Sequence, residues 1–173
     1  MQDMRREIIT WEDVDKLIDH LIPQFEFEFE AMVMITRGGI IPGGMLAEAM
    51  NITHILTAAV DFPAQIEKDK SRLYAWPTFL QFPEAELLAD RRTLVVDDVW
   101  GSGRTITTVK NRISAAGGLP FTCVMHYNPY RSLFGTARPN YYAAITDAYI
   151  IYPWEIDRGA DKALLDPTPR PSS

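Results

Sequence analysis

The sequence predicts an α/β fold built on a mainly parallel, twisted sheet flanked by helices, and three observations predict it. Short apolar runs of strand length alternate along the chain with stretches of helical periodicity, the pattern left by β-α crossovers. One of those runs delivers two carboxylates into a glycine-rich turn that opens a helix, the place where open α/β sheets hold ligands. The length, 173 residues, suits one core of this kind.

Taken in order, Thr10-Trp11-Glu12-Asp13 predicts a capped helix start, with Asp13 in the place of the usual Glu of a capping box. Val14, Leu17, Ile18, Leu21 and Ile22 mark one apolar face, and the helix ends near Pro23. Phe25 to Glu30 alternates strictly, as a strand or a lead into the next element would. Ala31 to Thr36 reads as a buried strand that ends in the tight turn Arg37-Gly38-Gly39. Ile41 to Met50 is helical in pattern with Asn51 as its stop, and Ile52 to Val60 reads as a second strand.

From Asp61 to Ala89 the regular pattern gives way to Pro63, Pro77 and Pro83 and a charge cluster between Glu67 and Arg72. A connection this long predicts a mobile lid. Tyr74, Trp76, Phe79 and Phe82 make part of it apolar enough for a hairpin. Thr93 to Val96 is another buried strand, Thr105 to Ala116 a helix stopped by Gly117-Gly118, and Phe121 to Tyr127 and Ala148 to Tyr152 the last strands. Residues 1–165 are expected to form one domain, and the Pro- and Ser-rich tail 166–173 to be disordered.

Composition narrows the function. A net charge of -6 argues against nucleic acid and anionic membranes as partners. It leaves room for a phosphorylated small molecule, which local amides, a few Arg side chains and a metal can hold. The single Cys123 excludes an internal disulfide framework. The charged start (Asp3, Arg5, Arg6, Glu7) is no secretory signal, and no apolar run approaches the roughly 20 residues of a membrane span. The expected setting is the cytoplasm.

The stretch from Thr93 to Thr105 carries the chemistry. After the apolar strand come Asp97 and Asp98, then small or hydroxylated residues that open a helix. Backbone amides can converge there on a phosphate, assisted by the positive end of the helix. Gly101 and Gly103 permit close approach, and Ser102 and Thr105 offer hydroxyls. An anion and a polyol side by side are the expected ligands. A dinucleotide fingerprint would need glycine where Ile106 stands. A triphosphate P-loop would need lysine where Arg104 stands, or, for the Gly38 to Gly44 spacing, where Met45 stands.

This string resembles the 5-phosphoribosyl 1-pyrophosphate (PRPP) signature of type I phosphoribosyltransferases. The resemblance implies that Asp97 and Asp98 hold the ribose hydroxyls and help place Mg2+. It also implies that Val99 and Trp100 lead into a loop of Gly101, Ser102, Gly103, Arg104 and Thr105 that grips the 5′-phosphate. Upstream, Thr36-Arg37-Gly38-Gly39-Ile40-Ile41-Pro42-Gly43 is similar to the pyrophosphate loop of the xanthine–guanine and hypoxanthine members. That implies Thr36, Arg37, Gly38 and Gly39 around the leaving diphosphate and a cis bond at Thr36–Arg37. Asp147 to Glu155 resembles the base-binding hood of the same subfamily, about 128–158, with Tyr149 at the stacking position and the backbone at Ile150 beside it. Arg37, Asp97 and Asp98 would form the catalytic set, PRPP and a nucleobase the ligands, and a homodimer or higher homo-oligomer is compatible with the family.

The sequence also departs from that family. Many 6-oxopurine members have Asp at the place of Gly101 and a lysine before the hood, yet no lysine occurs here between Lys110 and Lys162. Asn128 is the candidate substitute for that lysine. Asp61-Phe62-Pro63 stands where a Ser-Tyr pair is usual. His20, His54 and His126 read as structural or solvated. Three functions stay open: transfer to a base, which the resemblance implies to be a 6-oxopurine; a PRPP or nucleotide sensor on the same fold; and an unrelated phosphosugar-binding α/β protein.

Overall fold

In the computed structural model, which describes residues 4–62 and 76–156, a three-residue strand, β1 (Arg6–Ile8), leads into helix α1 (Trp11–Leu21). The capping box forms as the sequence predicts. Thr10 Oγ1 accepts from the Asp13 N–H at 3.1 Å, and the Asp13 carboxylate accepts from the Thr10 N–H at 2.8 Å. Val14, Ile18 and Leu21 turn inward, and Pro23 sits in a short 3-10 turn after the helix.

Phe25 to Glu30 is not a strand but the lead into the next one, and its Glu30 N–H donates to the Arg92 carbonyl at 2.8 Å. The alternation serves an aromatic cluster instead. Phe25, Phe27 and Phe29 meet one another, Phe121 and Tyr141 edge-on, with ring centroids 4.8 to 6.1 Å apart. Such edge-to-face contacts satisfy the ring quadrupoles and leave the backbone free to be irregular.

The main sheet holds six strands: β2 (Ala31–Ile35), β3 (Ile55–Asp61), β4 (Thr78–Gln81), β5 (Arg92–Trp100), β6 (Leu119–Tyr127) and β7 (Tyr141–Ile145). Their order is β4-β3-β2-β5-β6-β7, parallel throughout except for the antiparallel β3–β4 pair. Helix α2 (Ile40–Met50) crosses from β2 to β3, and α3 (Arg104–Ala115) from β5 to β6. Asn51 ends α2 in the left-handed conformation at φ 53, and Gly117 follows α3 at φ 85, both as expected of stop residues.

Alternate residues of the strands feed two cores. Met32, Leu94, Val96, Cys123 and Met125 pack with Val14 and Leu21 of α1 and Leu46 of α2. Val33, Ile35, Val95 and Val124 pack with Ile106, Val109 and Ile113 of α3. Burial on both faces is why these strands read as continuous apolar runs.

Two strands escape the sequence reading. β7 is a half-buried edge strand, and β1 is charged and exposed; each exists through its partner, β6 for one and β8 (Tyr149–Ile151) for the other. Pairing of this kind overrides local propensity. β4 supplies the hairpin expected after β3, while residues 63–75 of the expected lid and the tail 157–173 lie outside the described residues. Among the described residues no helix is long and apolar enough to cross a membrane. β5 runs on through Trp100, so Asp97 and Asp98 stand within the strand rather than just beyond it.

Leu94 is fully buried between the sheet and α1 and α2, so Leu94→Ala is expected to cost about 2–5 kcal/mol. Thr10→Ala, which removes one cap, is expected to cost about 1 kcal/mol. Urea unfolding of the two variants beside the wild type checks the ranking.

Candidate active site

β2 and β5 are neighbours and run the same way, so the loops that follow them leave the sheet at one edge. Glycines bring those loops together. A Cβ on Gly38 would lie 2.6 Å from the Asp98 carboxylate, and one on Gly39 would run into the Val96 carbonyl oxygen and come within 2.8 Å of the Ile35 carbonyl oxygen. The Gly39 N–H donates back to the Ile35 carbonyl at 2.8 Å, and the Thr36–Arg37 peptide bond is cis. The exposed Arg37 makes no ion pair among the described residues.

A cleft of about 440 Å3 opens at this junction. Arg37, Gly38, Ile40 and Ile41 line it from the first loop and α2, Asp98 from β5, and Trp154 and Glu155 from a short helix, α4 (Pro153–Ile156). Asp97 Oδ1 accepts from the Asp98 N–H at 2.9 Å, and Asp98 Oδ1 accepts from the Val99 N–H at 2.7 Å. Burial, and then the charge of Asp98, hold the Asp97 carboxyl well above the usual carboxylate range. Burial raises Asp98 as well, opposed by its hydrogen bonds and reinforced by the charge of Glu155. Two adjacent acids that resist ionisation are a natural seat for a cation. Among the described residues no group of three or more His, Cys, Asp or Glu side chains would cage a metal. The pair therefore fits Mg2+, a hard ion that takes one or two carboxylates and completes its shell from water and ligand oxygens.

The second loop is shaped by Gly103, whose φ of 81 and contact with the Trp100 indole leave no room for a side chain. Gly101 faces open space. Helix α3 begins after Gly103 without a side-chain cap, and Ser102 Oγ accepts from the Arg104 N–H at 3.3 Å. Thr105 sits half-buried in the first turn. The Arg104 guanidinium lies 4.2 Å over the Phe62 ring, and its buried Nη2 has no hydrogen-bond partner among the described residues. Trp100 is 2% exposed and donates from Nε1 to Ser132 Oγ at 3.2 Å, so its side chain is a wall under the loop and not a ligand-facing group. Val99 is half-buried beside it.

At the hood, Tyr149 is 43% exposed and lies outside the lining of the cleft. The Ile150 side chain is buried in the core. Tyr149 donates to the Arg5 carbonyl and the Ile151 carbonyl accepts from Ile9, so these two residues face β1. The peptide groups of Ile150, between them, face the other edge of β8. Asn128 is 2% exposed, and its Oδ1 accepts from the N–H groups of Tyr130 at 3.2 Å and Arg131 at 3.3 Å. That oxygen shapes the turn.

The sequence reading gave Tyr152, Trp154 and Glu155 no individual role within the hood and took His126 as structural or solvated. Pro153 at the start of α4 followed by Glu155 was a legible helix-start signal. The Tyr152 hydroxyl lies 3.0 Å from the Asp98 carbonyl oxygen and 2.9 Å from His126 Nδ1, a tertiary meeting that no local pattern announces.

Two predictions follow from this geometry. Gly38→Ala should displace Asp98 and cost about 1–3 kcal/mol by overpacking, whereas Gly101→Ala should stay within about 0.5 kcal/mol of the wild type; thermal unfolding compares them. Burial lowers the His126 pKa from 6.5 to about 4. The unfolded chain thus binds a proton that the folded chain does not, and stability falls as pH drops through that window, by up to about 1.4 kcal/mol per pH unit. His126→Asn should flatten this limb in urea melts across the same range; an unchanged slope would contradict the assignment.

No family model matches the chain. It is 27% identical over 135 residues to a xanthine-guanine phosphoribosyltransferase from Cereibacter sphaeroides, spanning 74% of this chain and 70% of that one. A purine phosphoribosyltransferase from Pyrococcus horikoshii superposes with a TM-score of 0.73 at 25% identity, over 86% of this chain and 93% of its own. A Neisseria gonorrhoeae protein solved with bound ppGpp shares the fold at a TM-score of 0.76 and 20% identity, over 94% and 96% of the two chains. The strand order and the paired loops agree with these relatives: the chain has the type I phosphoribosyltransferase fold, and its sequence is similar to those of a xanthine-guanine and a purine phosphoribosyltransferase.

Proposed function

We propose that the protein is a pentosyltransferase that moves the 5-phosphoribosyl group of PRPP onto a nucleobase, a 6-oxopurine, with release of diphosphate. The observation that carries this reading is the contact between Gly38 and Asp98, which sets a glycine loop with an exposed Arg37 against a half-buried acidic pair. PRPP joins a diphosphate to a ribose, so a single ligand brings both to such a junction.

In the reaction the bond from the anomeric carbon to diphosphate breaks, a bond to a base nitrogen forms, and that nitrogen loses a proton. Arg37 and the amides of Gly38 and Gly39 hold the leaving group and stabilise the charge it gains. Asp97 and Asp98 accept hydrogen bonds from the ribose hydroxyls and orient the ring. The turn from Gly101 to Thr105, with the uncapped start of α3, holds the 5′-phosphate. Asp97 and Asp98 would hold Mg2+, which would supply neutralising charge to the diphosphate. Tyr149 offers a face to the base, while the backbone at Ile150 and Nδ2 of Asn128 read its edge. Gly101 carries no carboxylate, so the proton leaves to water or to the departing diphosphate. The single Cys123, buried in the sheet, suits a reducing, cytoplasmic setting.

A second reading, a nucleotide or PRPP sensor, is favoured by Gly101, by the lack of lysine between Lys110 and Lys162, and by the ppGpp bound in the Neisseria fold neighbour. Diphosphate release from PRPP with Mg2+ and guanine, xanthine or hypoxanthine separates the two. Turnover with at least one base is expected, and Asp98→Asn should lower it by on the order of 10² or more. PRPP binding without turnover on any base would establish the sensor. Tyr149→Ala should raise the apparent constant for the base far more than that for PRPP, since base stacking contributes about 1–3 kcal/mol. Gly101→Asp, for which the loop has room, should raise turnover; equal effects of Tyr149→Ala on both substrates would remove the purine assignment.

A further inference from the structure

Asp98 is held at three points, and one of them lies outside the sheet. Its N–H donates to Asp97 Oδ1 at 2.9 Å, and its own Oδ1 accepts from the Val99 N–H at 2.7 Å. Its carbonyl lies where strand pairing lapses: β2 pairs with β5 only as far as Val96, and the β5–β6 register passes from Asp97 to Val99. The phenol of Tyr152 supplies the partner, donating to the Asp98 carbonyl at 3.0 Å.

The direction of each hydrogen bond is fixed by the groups involved. A carbonyl only accepts, so the one hydroxyl proton of Tyr152 goes to Asp98. The contact of 2.9 Å with His126 Nδ1 then requires the imidazole to donate. His126 is neutral, so it is the Nδ1–H tautomer, with Nε2 left as an acceptor. Tyr152 is 1% exposed and His126 5% exposed, so neither can trade these bonds for water without opening the core. At its other end, Tyr152 donates its backbone N–H to Glu155 Oε2 at 2.8 Å. Its ring stacks on Trp154, centroids 4.6 Å apart and planes within 4°. Trp154 and Glu155 both line the cleft. Tyr152 therefore ties the cleft wall to the acidic strand.

We propose that Tyr152 and His126 are positioning residues for the transfer reaction: the phenol, oriented by the imidazole, fixes the Asp98 peptide and with it the carboxylate that faces Gly38. The inference rests on the reading of Asp98 as a group that holds PRPP and Mg2+. The placement matters because Gly38 packs against that carboxylate with no space for even a methyl group. A freed Asp98 carbonyl lets the peptide rotate, and the carboxylate then leaves the position from which it meets ribose and metal together.

The test compares wild type, Tyr152→Phe, His126→Leu, His126→Asn and the Tyr152→Phe/His126→Leu double variant. Diphosphate release is followed at varied PRPP, base and Mg2+, and PRPP binding with Mg2+ is measured by calorimetry. Tyr152→Phe keeps the stacked ring and removes only the donor. It is expected to lower kcat by about 10- to 100-fold and raise the half-saturating Mg2+ concentration, with KM for the base within about twofold of wild type. His126→Asn, which keeps a donor near Nδ1, should retain most activity, and His126→Leu should lose it. The double variant should be no worse than Tyr152→Phe, because His126 acts through the phenol. A Tyr152→Phe protein with a lower Tm but unchanged kcat and Mg2+ requirement overturns the inference, and so do additive losses in the double variant. Should Tyr152→Phe not fold, the His126→Leu and His126→Asn pair reads the same contact. A wild type that binds PRPP without turnover overturns the transfer reading alone; a tenfold weaker PRPP constant in Tyr152→Phe then supports the positioning role, and an equal constant overturns it. A wild type that binds no PRPP overturns both.

Discussion

At the ends of β2 and β5 the backbone of Gly38 lies against the carboxylate of Asp98 so closely that a Cβ would sit 2.6 Å from it. Much of the molecule serves that approach. The parallel pairing from Ala31–Thr93 to Met34–Val96 sets the end of β2 beside Asp97 and Asp98, and Gly39 lets the loop turn over the Val96 carbonyl. The two cores, one on each face of the sheet, hold β2 and β5 in the middle of the stack, where neither can shift without disturbing buried Met32, Val33, Leu94 and Val95. A densely packed interior of this kind transmits small displacements rather than absorbing them.

Electrostatics follow from the same placement. Asp97 and Asp98 are pushed by burial toward their protonated forms, and Glu155 adds to the pressure on Asp98. On its own this arrangement is unfavourable, and under the proposed function a divalent cation with a polyhydroxyl ligand would relieve it. Arg37 is exposed in the lining of the same cleft, with the apolar Ile40, Ile41 and Trp154 beside it.

How much of this was legible beforehand depended on whether the signal was local. The Thr10–Asp13 box, the αL stop at Asn51 and the glycine after α3 were readable because each is settled within a few residues. So was the strand–acid–glycine–helix string from Thr93 to Thr105, and the glycine loop after β2 through its resemblance to a known family. Phe25 to Glu30 left strand and lead-in both open because period-two alternation also suits a row of rings on an irregular chain, and the lead-in is what forms. β1 and β7 were invisible because pairing, not composition, makes them strands. Trp100 and Asn128 looked like ligand contacts from their place in the motifs, yet burial turned one into a wall and committed the oxygen of the other to a turn. Tyr152 and His126 stand 26 residues apart, and Tyr152 stands 54 from Asp98; only the folded chain brings the three together.

The most direct test of the account is a crystal structure of the protein with PRPP and Mg2+. The account predicts the diphosphate against Arg37, Gly38 and Gly39, the ribose hydroxyls and the metal at Asp97 and Asp98, and the 5′-phosphate in the turn from Gly101 to Thr105 at the start of α3. A ligand bound elsewhere, or bound here with its diphosphate away from Gly38 and its ribose away from the acidic pair, would contradict it.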